Sequence, residues 1–203
     1  MKKIFSIALL CFIIPLFTFS QSKKVKNLLK EIENEWKIDD NGNLTYVRVV
    51  EVPNLTKDKI YSNVQDYFIY NYGSGKSVIQ TDDKELGKIV GKGLWKEVHI
   101  GVSIITTYTD CWHIVRVDVQ EGRARIIVTL TDYEQTMVGG NGPPTYAQYK
   151  VNKSFPCNPK GGMKTVMGKA FYKSHNLAIS TINSIETSIK EGNTSDSIEN
   201  DKW

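Results

Sequence analysis

The chain has little cysteine, proline or histidine: three, six and three residues among 203. So few cysteines exclude a scaffold built on disulfides, and so few prolines exclude an extended proline-rich rod. His99, His113 and His175 stand at no i, i+4 or short strand spacing, and no Cys or carboxylate cluster completes a ligand set. No metal site and no cofactor are therefore expected. Charge of one sign is also missing, with 26 Lys and Arg against 22 Asp and Glu. A formal charge of +4 argues against a nucleic-acid partner, which needs a strong cationic footprint. The chain is 40% hydrophobic and 24% charged, the composition of one ordinary packed domain.

The first twenty residues read as a secretory leader. Lys2 and Lys3 precede an apolar run from Ile4 to Ile14, and Thr18, Phe19 and Ser20 suit cleavage after Ser20. Cys11 lies inside that run, preceded by Leu10 where a lipoprotein cysteine needs a small neighbour. Loss of Lys2 and Lys3 leaves 24 basic and 22 acidic residues, a mature charge of +2. The expected location is periplasmic or secreted, with no integral membrane segment after cleavage, because no later run is apolar for long enough.

Residues 21–43 read as a lead-in: an amphipathic helix carrying Val25, Leu28, Leu29 and Ile32, then a hairpin through Asp39-Asp40-Asn41-Gly42. Residues 44–190 read as one α+β domain. Leu44 to Val52 is a β-branched strand whose two faces are both mixed, leaving the buried side open. A helix capped by Thr56 then carries Ile60, Tyr61, Val64, Tyr67 and Phe68, and stops at Gly73. Strands are expected at Ser77–Gln80 and Gly87–Lys96, with the Gly87–Gly93 glycines admitting a bulge or a close neighbour. Between His99 and Thr109 the alternation has the opposite parity from that of the strand beginning at Cys111, so a break near Thr109 or Asp110 is expected. A turn at Glu121-Gly122 sets Val119 opposite Ala124, Val117 opposite Ile126 and Val115 opposite Val128 on one apolar face. The other face receives Asp118 opposite Arg125 and Trp112 opposite Thr131, and is expected to be wet. Residues 139–162 read as irregular connection, 163–189 as a long helix with Ala170, Ser174 and Ala178 on one line, and 191–203 as a flexible tail.

This order of elements, with Ser77-Val78-Ile79-Gln80, Gly87-Lys88-Ile89-Val90-Gly91-Lys92-Gly93 and the hairpin at Glu121-Gly122-Arg123, resembles a Bacteroidetes family of secreted domains of unknown function with a TBP-like fold. The resemblance spans roughly Leu44 to Tyr133. It implies a curved antiparallel sheet, β-α-β4-α in order, with the long C-terminal helix packed across one face. It brings no catalytic residue to this chain.

Candidate chemistry is sparse. Gly75-Lys76-Ser77 has Tyr70 where a phosphate loop needs its first glycine, and it opens a strand rather than a helix. Cys111 and Cys157 form a possible disulfide in an oxidising compartment. A nucleophilic Cys111 beside His113 lacks Asp110, which alternation turns to the other face. Tyr108, Trp112 and Tyr133 form a possible binding surface. The expected function is an exported, non-enzymatic domain that binds an envelope protein or an apolar small molecule. The alternative is a hydrolase whose site is assembled only by the fold.

Overall fold

The fold is described by a computed structural model covering residues 22–72, 78–139 and 142–193. The expected leader with Cys11, Gly73, Gly75-Lys76-Ser77 and nearly all of the expected tail lie outside the described residues. The elements run α1 (Lys23–Glu31), β1 (Leu44–Glu51), α2 (Lys57–Asn71), β2 (Ile79–Asp83), β3 (Lys88–Val102), β4 (Thr106–Gln120), β5 (Arg123–Val138), β6 (Thr145–Lys150), a 3-10 turn (Val151–Lys153) and α3 (Lys164–Glu191). The strands form one curved antiparallel sheet in the order β1-β5-β4-β3-β2. Strand β6 joins the same edge of β5 as β1, beyond it: β1 faces residues 123–130 and β6 faces 132–137. The α+β class and the long helix across one face are thus as the sequence indicates. Strand β6 is a correction, since it lies inside the stretch read as irregular.

Each helix owes its position to a local cause. The Thr56 hydroxyl accepts from the Lys59 N–H and caps α2, which buries Ile60, Tyr61, Val64, Tyr67 and Phe68. Helix α3 seats Met167, Ala170, Phe171, Ala178, Ile182 and Ile185 on the sheet. Ala170, Ser174 and Ala178 are all fully buried, so one small-residue line lets the helix axis approach the strands. Helix α1 lies against α3 where Gly168 leaves room for Val25.

The hairpin register agrees with Val119↔Ala124, Val117↔Ile126, Val115↔Val128 and Asp118↔Arg125. It departs at Trp112, which faces Asp132 rather than Thr131, because the ladder shifts by one between Trp112 and His113. Thr131 is the extra residue, and its hydroxyl donates to the Trp112 carbonyl at 3.3 Å. The expected break near Asp110 lies instead across the hairpin, in β3 between Trp95 and His99. There Glu97 takes a left-handed φ of 52°, and its N–H donates to the Asp110 carboxylate at 2.7 Å. The change of parity itself comes from a turn at Ser103–Ile105 that separates β3 from β4.

Gly91 and Gly93 meet the expectation of a close neighbour. A Cβ on Gly91 would overlap the Phe68 ring, and one on Gly93 would stand 2.7 Å from the His113 ring and 2.8 Å from Tyr72. Phe68 is fully buried and cannot swing away. Gly91→Ala is therefore expected to cost about 1–3 kcal/mol through overpacking. Urea unfolding should show a lower midpoint at unchanged slope.

Candidate functional site

Burial by α3 decides the chemistry of the groups beneath it. Strand β1 turns Leu44, Tyr46 and Val50 inward, answering which of its faces is covered, while Arg48 on the same face reaches the rim. Tyr46 meets His175 of α3, with its hydroxyl 3.1 Å from Nδ1, and His175 Nε2 stands 3.1 Å from the Glu35 carboxylate. A carboxylate can only accept, so Nε2 carries the proton, and neutral Nδ1 accepts from the tyrosine. Burial lowers the His175 pKa, with Glu35 opposing, and burial raises that of Tyr46 far above its ordinary value. The result is a neutral phenol and a neutral imidazole in series, ending on the exposed Glu35 carboxylate.

This chain lies beside a cleft of about 360 Å³ at the sheet edge, between residues 34–37, β1 and α3. Trp36, Val47, Ile179 and Ile182 give it apolar walls, and Thr45 and Tyr46 are polar groups in its lining. Glu35, Lys37 and Arg48 also line it. Arg48 is held there by Glu186 at 2.8 Å and Asn183 at 2.6 Å. Trp36 is fixed by an edge contact with Phe171, ring centroids 4.9 Å apart.

Deeper under α3, Tyr133 and Cys111 are opposite one another in the ladder and both fully buried, with Ser174 beside them. Among the described residues, the Tyr133 hydroxyl and Ser174 Oγ find no hydrogen-bond partner of acceptable geometry. Cys111 and Cys157 are free thiols, each pushed up to about 12 by burial. Cys157 packs against the same core cluster that holds Cys111.

The three aromatics read as a binding surface do not form one. Tyr133 points into the core, whereas Tyr108 and Trp112 lie half-buried on the uncovered face. Trp112 is already engaged, with Lys92 over its ring at 4.6 Å and its N–H donating to Glu134 at 2.8 Å. Sequence reasoning treated His113 and His175 as isolated and missed Glu35, Tyr46 and Arg48. One signal was available: Tyr46 and Arg48 share the parity of Leu44 and Val50 in β1.

His113 is fully buried, stacked on Trp95 at 3.7 Å, with Nε2 3.2 Å from the Tyr72 hydroxyl. Burial lowers its pKa from 6.5 to about 4, the Cys111 backbone opposing slightly. The unfolded chain therefore binds the extra proton, so this contribution is complete above pH 6.5 and is lost as pH falls toward about 4. A shift of that size corresponds to about 3 kcal/mol. His99 and His175 are lowered too and act in the same direction. Urea midpoints measured from pH 7 to pH 4 should fall, and His113→Phe should flatten that decline.

Residues 46–132 match the family described as Domain of unknown function (DUF4468) with TBP-like fold. A crystal structure of a TBP-like protein from Parabacteroides distasonis is similar at 17% identity, covering 73% of this chain and 96% of its own, with a TM-score of 0.51. That likeness shows the fold. A crystal structure of a DUF4468 family protein from Bacteroides ovatus is 12% identical over 78% of this chain and 91% of its own, with a TM-score of 0.49. No curated protein matches the chain. The matched segment coincides within two residues with the one the sequence resemblance marked, and over residues 46–132 the chain is similar to the DUF4468 family with TBP-like fold.

Proposed function

We propose that the chain is an exported, non-catalytic binding module of the cell envelope whose site is the cleft between β1, α3 and residues 34–37. The observation that carries this reading is the pairing of that cleft with the closed chain Tyr46–His175–Glu35. Burial keeps the phenol protonated and the imidazole neutral, and both ring nitrogens are engaged. A nucleophile needs the opposite shift, toward the deprotonated form at neutral pH. The same groups instead make a rigid lining with fixed hydrogen-bond directions, which suits recognition. Trp36, Ile179 and Ile182 favour an apolar body, and Lys37 and the tethered Arg48 in the same lining favour a polar or anionic group on the ligand.

One observation favours the hydrolase reading: hydroxyl, imidazole and carboxylate do stand in hydrogen-bonding order. Turnover of p-nitrophenyl esters by the wild type, abolished in Tyr46→Phe, would select it over binding.

The same reading includes a bridge between Cys111 and Cys157 after export. Their shared surroundings support it, and thiols held near pKa 12 would have to be oxidised before the fold closes. Thiol titration of unfolded, exported protein should find neither Cys111 nor Cys157 free until reductant is added. Two titratable thiols without reductant would refute the bridge.

The cleft is tested by native mass spectrometry of protein recovered from the envelope. The wild type should carry a small-molecule mass that Val47→Trp lacks. Val47 is largely exposed and lines the cleft, so the larger ring fills the site at little cost to the fold. A wild type that carries no added mass, or a mass unaffected by Val47→Trp, refutes the reading.

A further inference from the structure

We infer that the far end of the sheet, built on the β3–β4 hairpin tip, docks into the surface of a lipid bilayer. The first observation is a gap in charge. Residues 98–109 and, among the described residues, 135–139 and 142–149 contain no Asp, Glu, Lys or Arg. In a chain that is 24% charged, those 25 residues would ordinarily hold about six. The gap falls at one place, because the ends of β3, β4, β5 and β6 meet there.

The second observation is the set of side chains that fill the gap. Val102 is 79% exposed and Ile104 97%, with Ile105 and Val138 exposed beside them. Isolated exposed aliphatics are ordinary, but a contiguous uncharged cluster marks a contact surface. The turn also pairs polar groups of Ser103 and Ile105 with one another. Ser103 N–H and Oγ both donate to the Ile105 carbonyl, at 3.2 and 3.0 Å, and Oγ accepts from the Ile105 N–H at 3.4 Å. Internal pairing of this kind is what a backbone needs in order to leave water for a medium without donors or acceptors.

The third observation is the order of rows behind the tip on the uncovered face. Val102, Thr106 and Val138 form the first row, and Ile100, Tyr108, Thr136 and Tyr146 the second. Charge returns only in the third row, Asp110, Glu134 and Gln148. A strand advances about 3.4 Å per residue, so successive rows on one face are about 7 Å apart. Aliphatic side chains thus lead, tyrosines come next at the depth where such rings anchor to headgroups, and carboxylates stay in water. Interfacial anchors bury about 5–10 Å, which matches the aliphatic zone. On the helix side Lys169 approaches His99, at a depth from which a lysine reaches headgroups.

The charge profile is thus complementary to that of a bilayer. A second copy of the chain is a poorer occupant, because a stable pair buries about 1,200–2,000 Å² and a convex three-residue turn offers no flat face of that size. Attraction to anionic lipid is not the driving term, since the surface carries no cation at its tip.

The test uses the chain from Gln21, which holds every described residue, with vesicles of phosphatidylcholine alone. The wild type should co-sediment with vesicles, equally at low and high salt. Val102→Asp combined with Ile104→Asp should lower the partition coefficient about tenfold or more. Both side chains are solvent-exposed, so the variant keeps its fold, which circular dichroism checks. Leu86→Asp, at an exposed aliphatic in the turn between β2 and β3, should bind like the wild type. The proposal is overturned if the wild type stays in the supernatant, if the tip variant binds undiminished, or if binding needs anionic lipid and vanishes with salt. It is also overturned if sedimentation velocity shows a dimer that the tip variant abolishes, which would reassign the patch to a second copy.

Discussion

The close approach of α3 to the sheet is the constraint on which the remaining structure depends. Ala170, Ser174 and Ala178 present almost no side-chain bulk along one line, so the helix settles closely on β1, β5 and β3 there, while Met167, Phe171, Ile182 and Ile185 fill the space to either side. That proximity removes water from Tyr46, Cys111, Tyr133 and His175 together. Every titratable group caught there moves toward its neutral form, which is what desolvation alone requires. The polar groups beneath α3 are therefore held uncharged within a largely apolar core.

The same constraint explains why α1 belongs to the domain rather than being a detached lead-in. Val25 packs into the notch at Gly168, the Tyr172 hydroxyl donates to Glu31 at 2.9 Å, and Glu35 accepts from His175. These contacts lead residues 34–37 past the open side of β1, where they become one wall of the cleft. The cleft exists because β1 is an edge strand and α3 overhangs it.

The parts of the fold legible in the sequence were those set by neighbours close along the chain. The Thr56 cap, the face of α2, the turn at Gly122 and the pairing of Val115 with Val128 each come from a few consecutive residues and a known period. The register slip at Thr131 was not legible, because nothing in Leu130-Thr131-Asp132 says which residue leaves the ladder. Strand β6 was hidden for a related reason: Tyr146 and Tyr149 are flanked by Pro143, Pro144 and Gly142, and pairing with β5 overrides that local signal. The site suffered most. Glu35, Tyr46 and His175 are drawn together from α1's exit, β1 and α3, and a period of two or 3.6 carries no information about such a meeting. Tyr133 was misplaced among surface aromatics although its strand's parity changes at Thr131, and that slip turns it toward the core.

Strand β5 relates the two proposed surfaces. Tyr46, beside the cleft, pairs opposite Val128, and Val138 lies at the uncharged end ten residues further along the same strand. At about 3.4 Å per residue that separation is at most about 34 Å along the strand. A tip anchored to a depth of about 5–10 Å would hold the cleft well clear of the headgroups and open to water. On these two proposals the roles would be separate: the aliphatic end would fix where the domain sits, and the cleft would meet solutes beside the membrane rather than lipid within it. A cleft meant for acyl chains drawn from that bilayer would have to open toward the tip. This one is lined by residues 34–37, residues 45–48 of the edge strand β1 and Ile179 and Ile182 of α3, none of them at the tip.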